Sequence, residues 1–296
     1  CQMKHIREIA KTAGVDEKYL ELYGNYKAKI DYNLLNENSA PDGKLIAPMF
    51  VRATDPVTSV YGAFGKFTLE NGLSLDDIDR IMMTGAGSAF VTSPIYSLPC
   101  HSVSEFDSIG IGGMYLSGLK EAIVVSMGTG TALIHAKCTD EGITTEYLGG
   151  TGVGGGTIVG LSRKMLGVDT ISHIEQLCEG GDLSQVDLRI SDISKKGIYP
   201  DVNENLTASN FGKLSDLATR HDISLGIVNM VTETVAMMAI FAARSFNIRD
   251  IVLTGNLTVV PQADNIFKNI GEMLKANFII PKYSQFGTVI GAALSK

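Results

Sequence analysis

Clustered cysteines, a basic stripe, an uninterrupted apolar run of membrane length and the commonest nucleotide loops are all missing from this sequence, and each absence removes a class of function. The four cysteines, Cys1, Cys100, Cys138 and Cys178, lie far apart, with no CxxC pair and no neighbouring His at ligand spacing. No metal residues are expected, and a reduced, cytoplasmic protein is the simplest reading. Acidic residues number 32 against 25 Lys and Arg, a net charge of -7 spread along the chain. Without a basic stripe to track a phosphate backbone, nucleic acid is not an expected partner. The longest apolar stretch, residues 225–243, is interrupted by Asn229, Thr232, Glu233 and Thr234. It is expected as a buried or interfacial helix and not as a membrane span. No secretory signal is visible, and the opening residue, Cys1, points to a start downstream of the natural one. Neither a Walker loop, GxxxxGK[ST], nor a Rossmann GxGxxG followed by an acid about 20 residues on is found.

What is present suits a soluble globular protein of two lobes, with 45% hydrophobic and 19% charged residues over 296 positions. Residues 1–30 read as two short amphipathic helices: Met3, Ile6, Ile9 and Ala10 recur at helical spacing, Gly14 breaks the pattern, and Asp16 is placed to cap the next. Residues 36–43, Asn-Glu-Asn-Ser-Ala-Pro-Asp-Gly, are turn formers without periodicity, so a boundary is expected near Gly43. Beyond it, strand-like runs alternate with helical segments in the α/β manner. Strands are expected at 44–53, 80–84, 121–126, 132–138 and 250–254. Helices are expected at 56–69, 107–117, 157–166, 171–179, 214–246, which has room for two, and 261–275.

Two glycine-rich segments carry the chemistry. Val124-Val125-Ser126-Met127-Gly128-Thr129-Gly130-Thr131 is an apolar run leading straight into a small-residue turn. Glycine there lets backbone amides approach an anion, and the Thr129 and Thr131 hydroxyls can donate to phosphate oxygens. The tip of a β-hairpin uses glycine too, and on this segment alone both readings stand. The second segment, residues 149–156 followed by Thr157, runs into a helical pattern near Ile158. Unpaired amides at the positive end of a helix dipole suit a phosphate. Close backbone packing also selects glycine, but six glycines in eight positions cost entropy that packing alone seldom repays, so ligand contact is expected.

With these loops on the page, the sequence resembles the type II pantothenate kinases. That family carries an xGTGxS-like turn, here Met127-Gly128-Thr129-Gly130-Thr131-Ala132, and a GGTxxGGGTxxGL loop, here Gly149 to Leu161. Ser104-Glu105-Phe106-Asp107, Leu206-Thr207-Ala208-Ser209-Asn210-Phe211-Gly212 and Gly287-Thr288-Val289-Ile290-Gly291-Ala292 extend the match over most of residues 80–296. The resemblance implies an α/β, actin-like (ribonuclease H-like) two-lobed ATPase domain. It implies phosphorylation of pantothenate, the first step of coenzyme A biosynthesis, with ATP and Mg2+. Glu105 takes the family's catalytic-base position; without the resemblance it reads as a surface carboxylate before a helix capped by Asp107. Gly128, Thr129, Gly130, Gly154, Gly155, Gly156, Thr157 and Ile158 are implied nucleotide contacts, and Gly255 and Asn256 belong to an adenosine-side loop. No dedicated metal residues are implied, Mg2+ being held near ATP through water. The helix around residues 225–246, with Met230, Met237 and Met238, resembles the one through which these kinases form homodimers; a buried core helix is the other reading.

Three departures qualify this. Tyr147 stands where the family has a substrate-contacting arginine, and tyrosine carries no fixed positive charge. The opening strand and DxGGTxxK-like loop of the family are missing, so the first lobe is expected to be incomplete, lacking two strands. In their place residues 1–46 resemble the opening of formate–tetrahydrofolate ligases, through Met3-Lys4-His5-Ile6-Arg7-Glu8-Ile9-Ala10, residues 20–29 and Gly43-Lys44-Leu45-Ile46. The expected domains are a helical segment at 1–43 and a kinase-like domain at 44–296, with lobes at about 44–120 and 121–296. A nucleotide-binding or dimerising remnant with impaired catalysis is the alternative. Another actin-like ATPase, such as an activator of acyl-CoA dehydratases, is a further one, although those proteins carry cysteine clusters.

Overall fold

The computed structural model describes residues 20–22, 28–30, 48–50, 55–91, 94–194 and 203–295. Its contacts divide the chain into two compact units, Cys1–Pro48 and Met49–Lys296. In the first, Leu20-Glu21-Leu22 and Ala28-Lys29-Ile30 alternate apolar and polar residues with the period of a strand. They form β1 (Leu20–Leu22) and β2 (Ala28–Ile30), antiparallel with Leu20 opposite Ile30. Over these residues strands replace the helix expected to open at Asp16. The expected helix from Met3 to Ala10 and the turn cluster at 36–43 lie outside the described residues, as does the expected strand at 44–53 apart from 48–50, which form no strand.

The second unit opens with α1 (Pro56–Asn71). Asp55 caps it by accepting the Thr58 N–H at 2.7 Å, Pro56 fills the first turn where no donor is needed, and Gly72 ends it at φ 64°. A parallel pair follows, β3 (Ile81–Met83) beside β4 (Cys100–Ser102). Next come α2 (Glu105–Ser117), the meander β5 (Glu121–Met127), β6 (Thr131–Thr139) and β7 (Gly142–Thr151), then α3 (Gly155–Leu166) and α4 (Ile171–Cys178). The short β8 (Leu188–Arg189), α5 (Ile190–Ile193) and β9 (Thr207–Ser209) precede the long α6 (Arg220–Ser245), and β10 (Asp250–Thr254), α7 (Pro261–Leu274), β11 (Asn277–Ile279) and α8 (Gly287–Leu294) complete the chain.

The five-stranded sheet runs β11-β10-β5-β6-β7, with β10 parallel to both β11 and β5 and the meander antiparallel. Strand alternation gives β5 two buried faces. Ala122 and Val124 cluster with Ile109 and Met114 of α2, while Ile123, Val125 and Met127 cluster with Val231 and Val235 of α6 and Phe267 of α7. Each of these side chains larger than alanine, fully buried, contributes about 1.5–3 kcal/mol. On the first face α2 and α8 meet backbone to backbone: a Cβ on Gly112 would overlap the Gly287 carbonyl, and one on Gly291 the Ser108 carbonyl.

The helical pattern expected over 214–246 is one helix that starts at Arg220. Thr219 sets that start, its hydroxyl accepting the Asp222 N–H while the Asp222 carboxylate accepts the Thr219 N–H in return. By length and hydropathy α6 could cross a membrane, but 56% of its most apolar window is buried inside the protein, and it covers the sheet as a core helix. Strands β4, β7 and β11 and helix α8 were not foreseen. With β7 and β11 added, a sheet of five strands takes the place of the three strands expected in this part of the chain.

Candidate functional site

At the C-terminal end of β5 the chain turns through Gly128-Thr129-Gly130 into β6, with Met127 opposite Thr131. The segment is therefore a hairpin tip, as one of its two readings expected. Among the described residues, the amides of Gly128, Thr129 and Gly130 donate to no protein acceptor. All three residues line a cleft of about 490 Å³, so three backbone donors are free to meet an anion.

The second glycine segment is not a single loop. Gly149, Gly150 and Thr151 end β7, paired with Leu133, Ala132 and Thr131, and only Gly155 opens α3. The helix-start amides are already engaged: Gly155 N–H donates to the Gly128 carbonyl and Gly156 N–H to the Thr129 carbonyl, both at 2.9 Å, while Thr157 and Ile158 donate to the Gly154 carbonyl at 3.0 and 3.2 Å. The glycines permit this closeness. A Cβ would lie 2.8 Å from the Gly130 carbonyl at Gly154, 2.8 Å from the Gly128 carbonyl oxygen at Gly155, and 2.8 Å from Thr129 Cγ2 at Gly156. Packing of backbone on backbone thus accounts for these three glycines, and they hold the hairpin in place instead of offering it free donors. Thr157 closes the turn with its hydroxyl, which accepts from Gly154 N at 3.2 Å and donates to the Gly152 carbonyl at 3.1 Å. Ile158 is 1% exposed and belongs to the core.

The first turn of α2 faces the hairpin across the cleft. Ser104, not Asp107, is the N-cap, its hydroxyl accepting the Asp107 N–H at 3.3 Å, which makes Glu105 the first helical residue. Serine at the cap and acids in the first turn both favour this helix start. Glu105 is exposed and lines the cleft with Phe106 and Ile109. Its Oε2 is 4.0 Å from the position a Cβ would take on Gly85, just beyond β3. Asp107 accepts a hydrogen bond from Thr145 of β7, and the Phe106 ring stacks on Tyr147 of the same strand, centroids 3.9 Å apart and planes at 12°. Two ties therefore fix the first turn of α2 against β7 on either side of the cleft wall.

Of the residues foreseen, Glu105, Gly128, Thr129 and Gly130 share the cleft, together with Tyr147. Gly255 and Asn256 do not line it. Gly255, at φ 92°, lies so close to Met127 that a Cβ would overlap the Met127 carbonyl, and its N–H donates to Ser284 O at 3.0 Å, so it supports the hairpin from behind. Gly150, Thr151 and Gly152 of the second glycine segment line the cleft too, as does Thr131, whose hydroxyl donates to the Val153 carbonyl at 2.9 Å, while Phe106 lines it without having been singled out as a contact. The signal was available for Phe106, which follows Glu105, but Thr151 becomes a neighbour only through its pairing with Thr131.

The segment Leu206–Gly212 sits away from the cleft, fastened to α6. Thr207 Oγ1 and Asn210 Nδ2 donate to Glu233 at 2.7 and 2.8 Å. Phe211 N and Asn229 Nδ2 donate to Asp187 at 2.9 and 2.8 Å. Burial pushes the Asp187 carboxyl above the usual aspartate value, and the two donors work against that shift.

The Fumble family model matches residues 114–271, and the formate–tetrahydrofolate ligase model matches residues 1–78, a stretch that includes α1. The type II pantothenate kinase of Bacillus cereus (strain G9842) is 31% identical over 188 residues, 60% of this chain and 67% of that protein. That of Staphylococcus aureus (strain USA300) is 29% identical over 62% of this chain and 70% of its own. Among solved structures, the activator of the 2-hydroxyisocaproyl-CoA dehydratase from Clostridium difficile with bound ADPNP superposes with a TM-score of 0.54 at 16% identity, covering 80% of each chain. Component A of the (R)-2-hydroxyglutaryl-CoA dehydratase from Acidaminococcus fermentans gives 0.54 at 17% identity, covering 82% of this chain and 84% of its own. The fold is that of the actin-like ATPases.

Proposed function

This chain belongs to the Fumble family, and on that premise we propose that it is a kinase that uses ATP to phosphorylate the primary hydroxyl of a pantothenate-type alcohol, a first step toward coenzyme A. The observation that carries the reading is the facing of Glu105 and the three unpartnered amides of Gly128–Gly130 across one cleft. Phosphoryl transfer asks a protein for little covalent chemistry: it needs placement, neutralisation of charge on the transferred group, and a carboxylate to orient the attacking hydroxyl. The hairpin amides are the natural holders of phosphate oxygens, and Glu105 is the base. ATP supplies the phosphoryl group when bound. Among the described residues no group of three His, Cys, Asp or Glu side chains could cage a metal, so Mg2+ is left to the nucleotide's oxygens and water, as is usual for this ion.

A coupled ATP-consumption assay with pantothenate-type alcohols tests the proposal. Glu105→Gln is expected to lower turnover about 10²- to 10⁴-fold while leaving nucleotide affinity in place. Turnover equal in wild type and Glu105→Gln would sink it. One observation favours a second reading, a binding remnant with impaired catalysis. Among the described residues the first lobe holds only the parallel pair β3–β4, against a five-stranded sheet in the second, and a nucleotide held from one side loses much of its electrostatic stabilisation. ADP or ATP binding without turnover on any acceptor would decide for the remnant.

A further inference from the structure

The charge of the cleft bears on which acceptor it can take, an inference that rests on the kinase reading of the same site. Among the described residues lining the cleft, Glu105 is the only charged side chain, and no Lys, Arg or His accompanies it. One wall is aromatic: Phe106 and Tyr147 stack on each other and remain 38% and 48% exposed. A carboxylate drawn into this cleft would give up water, meet the Glu105 charge, and gain no cation from the described residues in return. The unpartnered donors that could serve it are the hairpin amides of Gly128–Gly130, and the kinase reading assigns those to phosphate.

Pantothenate carries its carboxylate at the end of the molecule remote from the primary hydroxyl that is phosphorylated. With Glu105 at that hydroxyl, the remote end has the aromatic wall to meet. The Tyr147 hydroxyl lies 3.3 Å from the position of a Cβ on Gly150. As a neutral donor and acceptor it matches an amide group and cannot neutralise a carboxylate. We infer that the cleft selects an acceptor alcohol whose remote end is an uncharged amide over one ending in a carboxylate, with Tyr147 as the residue that sets the preference.

Calorimetric titration of the full chain with pantothenate and with its N-pentyl amide, alongside the ATP-consumption assay on both, tests this. The expected result is at least about tenfold tighter binding of the amide, lost in Tyr147→Arg through a gain in pantothenate affinity and reduced in Tyr147→Phe, which keeps the ring but removes the hydroxyl. The wild-type ratio decides even if the arginine variant fails to fold. Equal or tighter binding of pantothenate, binding of neither compound, or an unchanged ratio in a folded Tyr147→Arg would each overturn the inference. Preferential amide binding with no turnover of either compound would keep the inference while rejecting the kinase reading. Equal kcat/KM on both would do the reverse.

Discussion

The Gly156 amide donates to the Thr129 carbonyl at 2.9 Å, so the start of α3 is clamped onto the hairpin that carries the free amides. A methyl group at Gly156 would meet Thr129 Cγ2 at 2.8 Å and the Thr129 carbonyl oxygen at 3.0 Å, whereas one at Gly160, a turn later, would find nothing within 4 Å. Gly156→Ala is therefore expected to destabilise the fold by about 1–3 kcal/mol, the range for overpacking, and to weaken nucleotide binding by displacing Thr129. Gly160→Ala, in an open helix interior, is expected to stabilise by about 0.5–1 kcal/mol. Urea unfolding of the two variants checks the pair, and equal effects would show that the clamp carries no strain.

These glycines also mark the limit of what the sequence could convey. The strand at residues 250–254 was legible to the residue, because the apolar run Ile251-Val252-Leu253 between a polar start and a Thr-Gly stop has one local solution. Residues 149–156 had two, and local pattern could not show that Gly149 and Gly150 pair with Leu133 and Ala132 while Gly155 and Gly156 grip the opposite hairpin. That division depends on the β6–β7 register, which is set by packing from elsewhere in the chain. Glu105 was singled out through its motif, whereas the stack of Phe106 on Tyr147 joins residues far apart in sequence and leaves no local signal. At Leu20–Leu22 the period was visible, but Asp16 and the helical spacing before it outweighed three residues of alternation.

Asp222 offers a pH test of the α6 cap. Its carboxylate accepts from Asp182 N at 2.8 Å and from Thr219 Oγ1 and N at 2.7 and 2.8 Å. The Asp182 N–H, with the Thr219 donors after it, holds its pKa below the 3.8 of an unperturbed aspartate. Because the folded value is depressed, the stabilisation is present above 3.8 and is lost as pH falls through the folded value. Wild type is expected to exceed Asp222→Asn by about 1 kcal/mol at pH 7. That margin should shrink below pH 3.8, as read by urea unfolding at several pH values. A margin that grows on acidification would contradict the role given to the carboxylate.

Asp187 is expected to show the opposite slope. It is 1% exposed, and burial raises its pKa above 3.8 despite the donors Phe211 N and Asn229 Nδ2. A raised carboxyl binds a proton in the folded state where the unfolded chain has lost it, so stability falls as pH rises from 3.8 through the folded value. Asp187→Asn removes the titration but keeps the volume, and the margin of wild type over this variant is expected to be larger near pH 3.8 than at pH 7. Asp187→Ala instead leaves the Phe211 and Asn229 donors buried without an acceptor, at about 1–3 kcal/mol for each such group. It also releases Phe211, whose backbone sits at φ 57°, a conformation a non-glycine residue keeps only when its surroundings impose it. Hydrogen exchange of the Phe211 amide should accelerate in the alanine variant well beyond the change in global stability. Equal acceleration across α6 and β10 would mean that Asp187 supports the whole fold and not this loop.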